Sequence, residues 1–174
     1  MTSTIGVALP IPEPWGAQLD GYRRSAGDPM AEFIPAHVTL LGPTPVAEDE
    51  LPHVVEHLRI TATRYLPFDL HLRGTGTFRP VTAVVFVTVA SGISECEMLE
   101  KDIRTGPLDR ERLYPYHPHV TVAHDLDESA LDRVYAQLAH FEVKFRVPGF
   151  TLFEHGVDGR WRPRQEFPFP LEAG

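Results

Sequence analysis

The chain has 174 residues, 43% of them hydrophobic and 23% charged, and a formal net charge of −8 at pH 7. These are the values of one globular domain, or of two small lobes sharing a core, and they exclude a disordered or fibrous chain. The acidic balance argues against a broad face that grips duplex nucleic acid, while a nucleotide or an RNA end, held by a few local groups, stays compatible with it.

The N-terminal MTSTIGVALPIPEPWG has no basic region followed by a long apolar core, so no signal peptide is expected. Residues 5–12, IGVALPIP, read as a short strand closed by prolines. PWGAQLDGYRRSAG (14–27) places Trp15, Leu19 and Tyr22 at helical spacing and ends at Gly27. The loop DPMAEFIPA leads into a strand, HVTLLGP (37–43). EDELPHVVEHLRITATRY (48–65) is a helix with Leu51, Val54, Val55 and Leu58 on one face and acidic residues in its first turn. PFDLHLRGTGTF (67–78) alternates as a strand with its glycines at a bend.

After Pro80 the same order returns. VTAVVFVTVA at 81–90 is half the length of a membrane helix and reads as a strand buried on both faces, so the protein is expected to be soluble, with no membrane partner. ISECEMLEKDIRTG (93–106) is a helix, and PLDRERLYPYHP leads into a second HVT strand, HVTVAH. DESALDRVYAQLA (127–139) is a helix capped by Asp127. FEVKFRVPGFTLFEHG and RWRPRQEFPF read as a terminal hairpin. The lone Cys96 excludes an intrachain disulfide and fits a reducing cytoplasm.

HVT thus occurs at 37–39 and at 119–121, about half the chain apart, each time after a loop ending in proline. The repeated tripeptide at one structural address in two halves points to pseudo-symmetric lobes of approximately 1–80 and 81–174 within a single domain. Side chains alternate along a strand, so His37 and Thr39 share one face, as do His119 and Thr121, while Val38, Val120 and Val122 turn inward. If the two lobes pack with these strands central, two imidazoles and two hydroxyls face one cleft. His124 has the opposite parity from His119 and is expected at the strand end, behind the catalytic pair.

That set suits phosphodiester cleavage, which needs a base on the attacking oxygen, an acid on the leaving oxygen and donors on the non-bridging oxygens. Histidine is the side chain that supplies both proton states near neutrality, and threonine hydroxyls stabilise charge building on phosphate. Protons and hydroxyls cover each role, so no metal or other cofactor is expected.

HVTL at 37–40 and PHVTVA at 118–123 resemble the paired H-x-[ST]-hydrophobic motifs of the 2H phosphoesterase superfamily, in the branch of 2′–5′ RNA ligase or cyclic phosphodiesterase-like proteins. GTGTFRP (74–80) followed by AVVFVTV resembles the segment between those motifs. The resemblance implies a bilobal α+β fold in which each lobe carries an antiparallel sheet flanked by helices. It also implies metal-independent hydrolysis of 2′,3′-cyclic phosphates or 2′–5′ bonds in nucleotides or RNA ends, with His37 and His119 as the acid/base pair and Thr39 and Thr121 binding phosphate. The chain departs from the family in having Leu-Leu-Gly-Pro where Leu-x-Phe-Leu-Gly is frequent, and His124 where many members have arginine.

Phe78, Arg79, Tyr114, Tyr116 and His117 lie in segments that border the expected cleft and are further candidates for substrate contact, by stacking or phosphate binding. Trp15 and Trp161 read as core or lobe-packing residues. A competing motif, HVVEH at 53–57, matches the H-x-x-E-H of inverted zinc peptidases, but His53, Glu56 and His57 fall largely on the polar side of their helix and no third ligand is identifiable. A non-catalytic nucleotide-binding module on the same fold is the other alternative. The sequence leaves the oligomeric state open.

Overall fold

The structure is a computed structural model, and it describes residues 1–172. Among the described residues, eight strands and four α-helices follow one another as β1 (Thr2–Pro10), α1 (Trp15–Ser25), β2 (His37–Ala47), α2 (Leu51–Ala62), β3 (Phe68–Thr77), β4 (Val84–Ser91), α3 (Ile93–Ile103), β5 (His119–His124), α4 (Glu128–Gln137), β6 (Glu142–Val147), β7 (Gly149–His155) and β8 (Trp161–Pro168). The local signals act as expected. Asp127 caps α4, its carboxylate accepting from the amide of Ala130 at 2.8 Å. Val84, Val85, Phe86 and Val87 are all buried, so β4 is covered on both faces.

The strands form two antiparallel sheets of four, in the orders β2-β1-β7-β8 and β5-β4-β3-β6, with the helices flanking them, an α+β fold in two lobes. In each sheet an H-x-T strand pairs with the first strand of its half, β2 on β1 and β5 on β4. The outer strands do not respect the halves. β3, from the first half, joins the second sheet, and the hairpin β7–β8, from the end of the chain, completes the first.

Residue 80 is therefore not where the two sheets divide. The terminal hairpin is present as β7–β8, but β6, which runs into it through Pro148, belongs to the other sheet beside β3. The reason is that β6 alternates buried and exposed residues, as a strand does on the face of either sheet. Its own pattern specifies a strand without specifying a partner.

The helices cross over as well. α1 packs against β5 and α3 against β2, while α4 covers β3, β4 and β5. One continuous core results, running from Ile5, Leu9 and Val38 through Leu58 and Leu99 to Val120, Leu131 and Phe150. β2 and β5, each an edge of its own sheet, lie against one another at the centre of the molecule. Each lobe thereby covers the other's open edge.

Candidate active site

His37 and Thr39 on β2, and His119 and Thr121 on β5, all line one cavity of about 420 Å³ at the seam between the lobes. The neighbouring valines, Val38 and Val120, are fully buried, so period-two alternation turns the histidines and threonines to the cleft. The two strands share a further device. Val7 and Ala8 of β1 pair with Leu41 and Thr39, and Val85 and Phe86 of β4 pair with Ala123 and Thr121, leaving Leu40 and Val122 as extra residues. Each is a β-bulge at the third residue after its histidine.

A bulge resets the alternation. Leu40 and Leu41 are both buried, as are Val122 and Ala123, and the next residues, Gly42 and His124, return to the cavity wall. This corrects the parity expectation for His124, which lines the same cavity as His119. Simple alternation from residue 119 misses the extra residue at 122.

The two imidazoles are held alike. His37 Nδ1 donates to the Pro35 carbonyl at 2.8 Å, and His119 Nδ1 donates to the His117 carbonyl at 2.6 Å. A carbonyl only accepts, so the proton of each neutral ring sits on Nδ1 and each Nε2 carries a free lone pair. Burial pushes the His37 pKa down to about 4, with smaller contributions in the same direction from the Arg23 guanidinium and from His119; the bond to Pro35 opposes them. Burial also lowers the His119 pKa, aided by His117 and opposed by the bond to the His117 carbonyl.

Phe78 stands at the junction of this cavity with a second one of about 830 Å³ on the other side of the seam. Its ring meets His119 edge-on at 5.0 Å and lies 4.5 Å from Phe86, whose ring also backs both His117 and His119. The second cavity is lined by Tyr114, Tyr116 and His117 from the loop before β5, together with Thr39, His119, Arg104, Arg110 and Arg112. Tyr114 is exposed, whereas Tyr116 packs on the core and its hydroxyl donates to the Thr39 carbonyl at 2.8 Å.

Arg79 sits elsewhere: its guanidinium pairs with Asp132 of α4 at 2.9 Å and bonds Thr77, and it lines neither cavity. The proximity of Arg79 to Phe78 in sequence does not carry over, because the two side chains leave the chain on different sides. The HVVEH segment is engaged in helix contacts. His57 Nε2 bonds the Ile103 carbonyl at 2.9 Å and Glu56 is held by Arg59. Among the described residues there is no group of three or more His, Cys, Asp or Glu side chains placed to hold a metal ion. Cys96 is fully buried, and desolvation raises its thiol pKa to about 12.

Among the wall residues that sequence reasoning did not place at the cavity are Trp161 and Arg23. Trp161, read as packing, lines the first cavity and lies against His155 at 4.9 Å. Arg23 is 6% exposed and also lines it. The signal was present, since Trp15, Leu19 and Arg23 stand four apart and share one stripe of α1. The apolar reading chose Tyr22, which is 38% exposed, because an arginine is not expected on a buried face.

Two antiparallel sheets joined along two H-x-T strands, with an imidazole and a hydroxyl from each strand opening on one cavity, are the arrangement of the 2H phosphoesterase class. Residues 11–159 match the model of the 2′–5′ RNA ligase superfamily, and the chain belongs to that superfamily within the 2H phosphoesterases. It is 34% identical over 146 residues to a protein of Bacillus cytotoxicus provisionally named a phosphoesterase, covering 83% of this chain and 84% of the relative. A Bacillus mycoides protein of the same kind of name is 28% identical over the same shares.

Among solved structures, Escherichia coli LigT complexed with NADP+ superposes with a TM-score of 0.72 at 21% identity, covering 99% of this chain and 100% of LigT. LigT complexed with 3′-AMP gives 0.66 at 19% identity, over 97% and 99%. A Thermus thermophilus protein gives 0.62 at 22% identity, over 95% and 97%. These likenesses establish the fold.

Proposed function

We propose that this protein is a metal-independent phosphodiesterase, hydrolysing 2′,3′-cyclic phosphates or 2′–5′ phosphodiester bonds of nucleotides or RNA ends. The observation that carries this reading is the quartet itself: two imidazoles with free Nε2 atoms and two hydroxyls on one cavity wall. The nucleotides named in the LigT complexes, 3′-AMP and NADP+, support a ligand of the same chemistry here.

In the cyclic phosphate reaction His37 Nε2 takes a proton from water as its oxygen attacks phosphorus. The bond to one ribose oxygen breaks, and His119 Nε2 gives that oxygen its proton. The cycle ends with His37 protonated and His119 neutral, and exchange with solvent restores both. His37 takes the base role because burial, with a smaller contribution from the neighbouring Arg23 charge, favours its neutral form. His119 takes the acid role, since the charge of a bound phosphodiester favours its protonated form. Thr39 and Thr121 donate to the non-bridging oxygens. Each acid or base contributes on the order of 10²–10⁴-fold in rate.

The test is hydrolysis of the four 2′,3′-cyclic nucleotides by chelator-treated protein, with His37→Ala and His119→Ala in parallel. Turnover by the wild type, lost by about 10²-fold or more in each variant, is expected. Near-normal rates in either variant, or activity that needs added metal, would falsify the mechanism. Tight nucleotide binding with no turnover of cyclic or 2′–5′ substrates would mark a binding module instead.

A further inference from the structure

Among the described residues that line the cavity of the quartet, Arg23 carries a charge that is neither solvated nor fully engaged. Its side chain is 7% exposed. Its Nε donates to Asp28 Oδ2 at 2.7 Å, and among the described residues neither Nη has a hydrogen-bond partner within the protein. Asp28 is itself engaged at both oxygens. Oδ2 also accepts from the His124 amide of β5 at 3.0 Å, and Oδ1 accepts from the Met30 amide at 2.9 Å.

The carboxylate thus fixes the guanidinium by its inner edge and ties it to the H-x-T strand of the opposite lobe. The outer edge, with its two Nη groups, has no partner among the described residues, and Arg23 lines the cavity that holds the quartet. A buried charge tolerates such an arrangement only if its remaining donors meet water or an anion. The cavity wall beyond it is largely apolar, including Met30, Ile34, Phe153 and Trp161.

We propose that Arg23 is the anion receptor of this cleft, its two Nη groups holding a phosphate oxygen of the ligand while Asp28 and the β5 backbone keep the guanidinium in place. The proposal rests on the phosphodiesterase reading for its ligand class and adds to it the cation that the H-x-T quartet lacks. A planar guanidinium gripped at Nε presents two parallel donors, the geometry that matches two oxygens of one phosphate. The site commits the phosphate to the side of the seam walled by Trp161 and Phe153, away from the arginines of the larger cavity. Those arginines have other engagements: Arg112 and Arg104 converge on the buried Glu100, and Arg110 donates to the carbonyls of Pro107 and Asp109.

The experiment is calorimetric titration of the full chain with inorganic phosphate, a probe that needs no turnover. Wild type is compared with Arg23→Lys, with the double variant Arg23→Gln/Asp28→Asn, and with Arg24→Gln. The double variant removes both buried charges, so no lone carboxylate is left behind. Arg24 lies on the same helix, exposed and paired with Glu32, and controls for net charge. Phosphate affinity is expected to fall by about 10-fold or more in the double variant, partly in Arg23→Lys, which keeps the charge and loses the fork, and not in Arg24→Gln.

No phosphate binding by the wild type, equal binding by Arg23→Lys and wild type, or an equal loss in Arg24→Gln would each overturn the proposal. Should the double variant fail to fold, Arg23→Lys decides alone. The two readings part cleanly. Arg23-dependent phosphate binding without hydrolysis of any phosphodiester keeps the receptor and removes the catalytic reading, and hydrolysis with Arg23-independent phosphate binding does the reverse.

Discussion

The Tyr116 hydroxyl donates a 2.8 Å hydrogen bond to the carbonyl of Thr39, joining the loop before one H-x-T strand to the middle of the other. It is a polar tie between the segments that carry the two copies of the motif. Tyr116→Phe removes that tie and keeps the ring in its core position. A stability loss of about 1 kcal/mol is expected from the lost bond. If the tie serves the cleft, kcat for a cyclic phosphate falls by several-fold, more than one bond's worth of stability explains at a temperature where the variant is fully folded. Unchanged kcat in a folded Tyr116→Phe would reduce the bond to a structural role.

The proton states of the two histidines set the pH dependence. In the free enzyme the acidic limb of kcat/KM follows His37, whose neutral form is lost only as pH falls through about 4. The alkaline limb follows His119, which must be protonated and whose pKa lies below the usual 6.5. The kcat/KM profile is therefore expected to be a bell with its optimum on the acidic side of neutrality. The alkaline limb of kcat is expected at higher pH than that of kcat/KM, because the bound phosphodiester anion favours the imidazolium. A kcat/KM optimum at pH 8 or above would mean that the two groups are not this pair.

The same depression makes folding pH-dependent. Above pH 6.5 His37 is neutral in both states. As pH falls from 6.5 towards 4 the unfolded chain binds a proton that the folded site refuses, so stability drops, and below about 4 the loss levels off. His119 acts in the same direction. Urea midpoints at pH 7 and pH 5 are expected to differ more for the wild type than for His37→Gln. Equal differences would show that the folded site admits the proton freely.

Gly76 tests the aromatic wall behind His119. A Cβ at this position would come within 2.6 Å of the Phe86 ring, which backs both His117 and His119. Gly76→Ala is expected to displace that ring at a cost of about 1–3 kcal/mol and to lower kcat through the position of His119, with phosphate affinity little changed. A variant with wild-type kcat would show that the ring moves without the imidazole.

What the amino-acid order determined alone is what depends on near neighbours. H-x-T on a strand places imidazole and hydroxyl on one face by alternation, Asp127 caps the amide of Ala130, and two HVT copies at matching addresses announce two matching sheets. What only the tertiary structure decided is pairing and register. β6 would fit either sheet by its own pattern and joins β3 because β7 and β8 occupy the place beside β1. The bulges at Leu40 and Val122 exist only relative to the partner strand, and they turn His124 to the cleft against its parity. Arg23 reads as a surface residue until α1 is laid across β5, where Asp28 offsets its charge and the cavity receives its free donors. Pairing partners and burial are long-range quantities, set by which surfaces the folded chain brings together, and a local pattern constrains them without choosing among them.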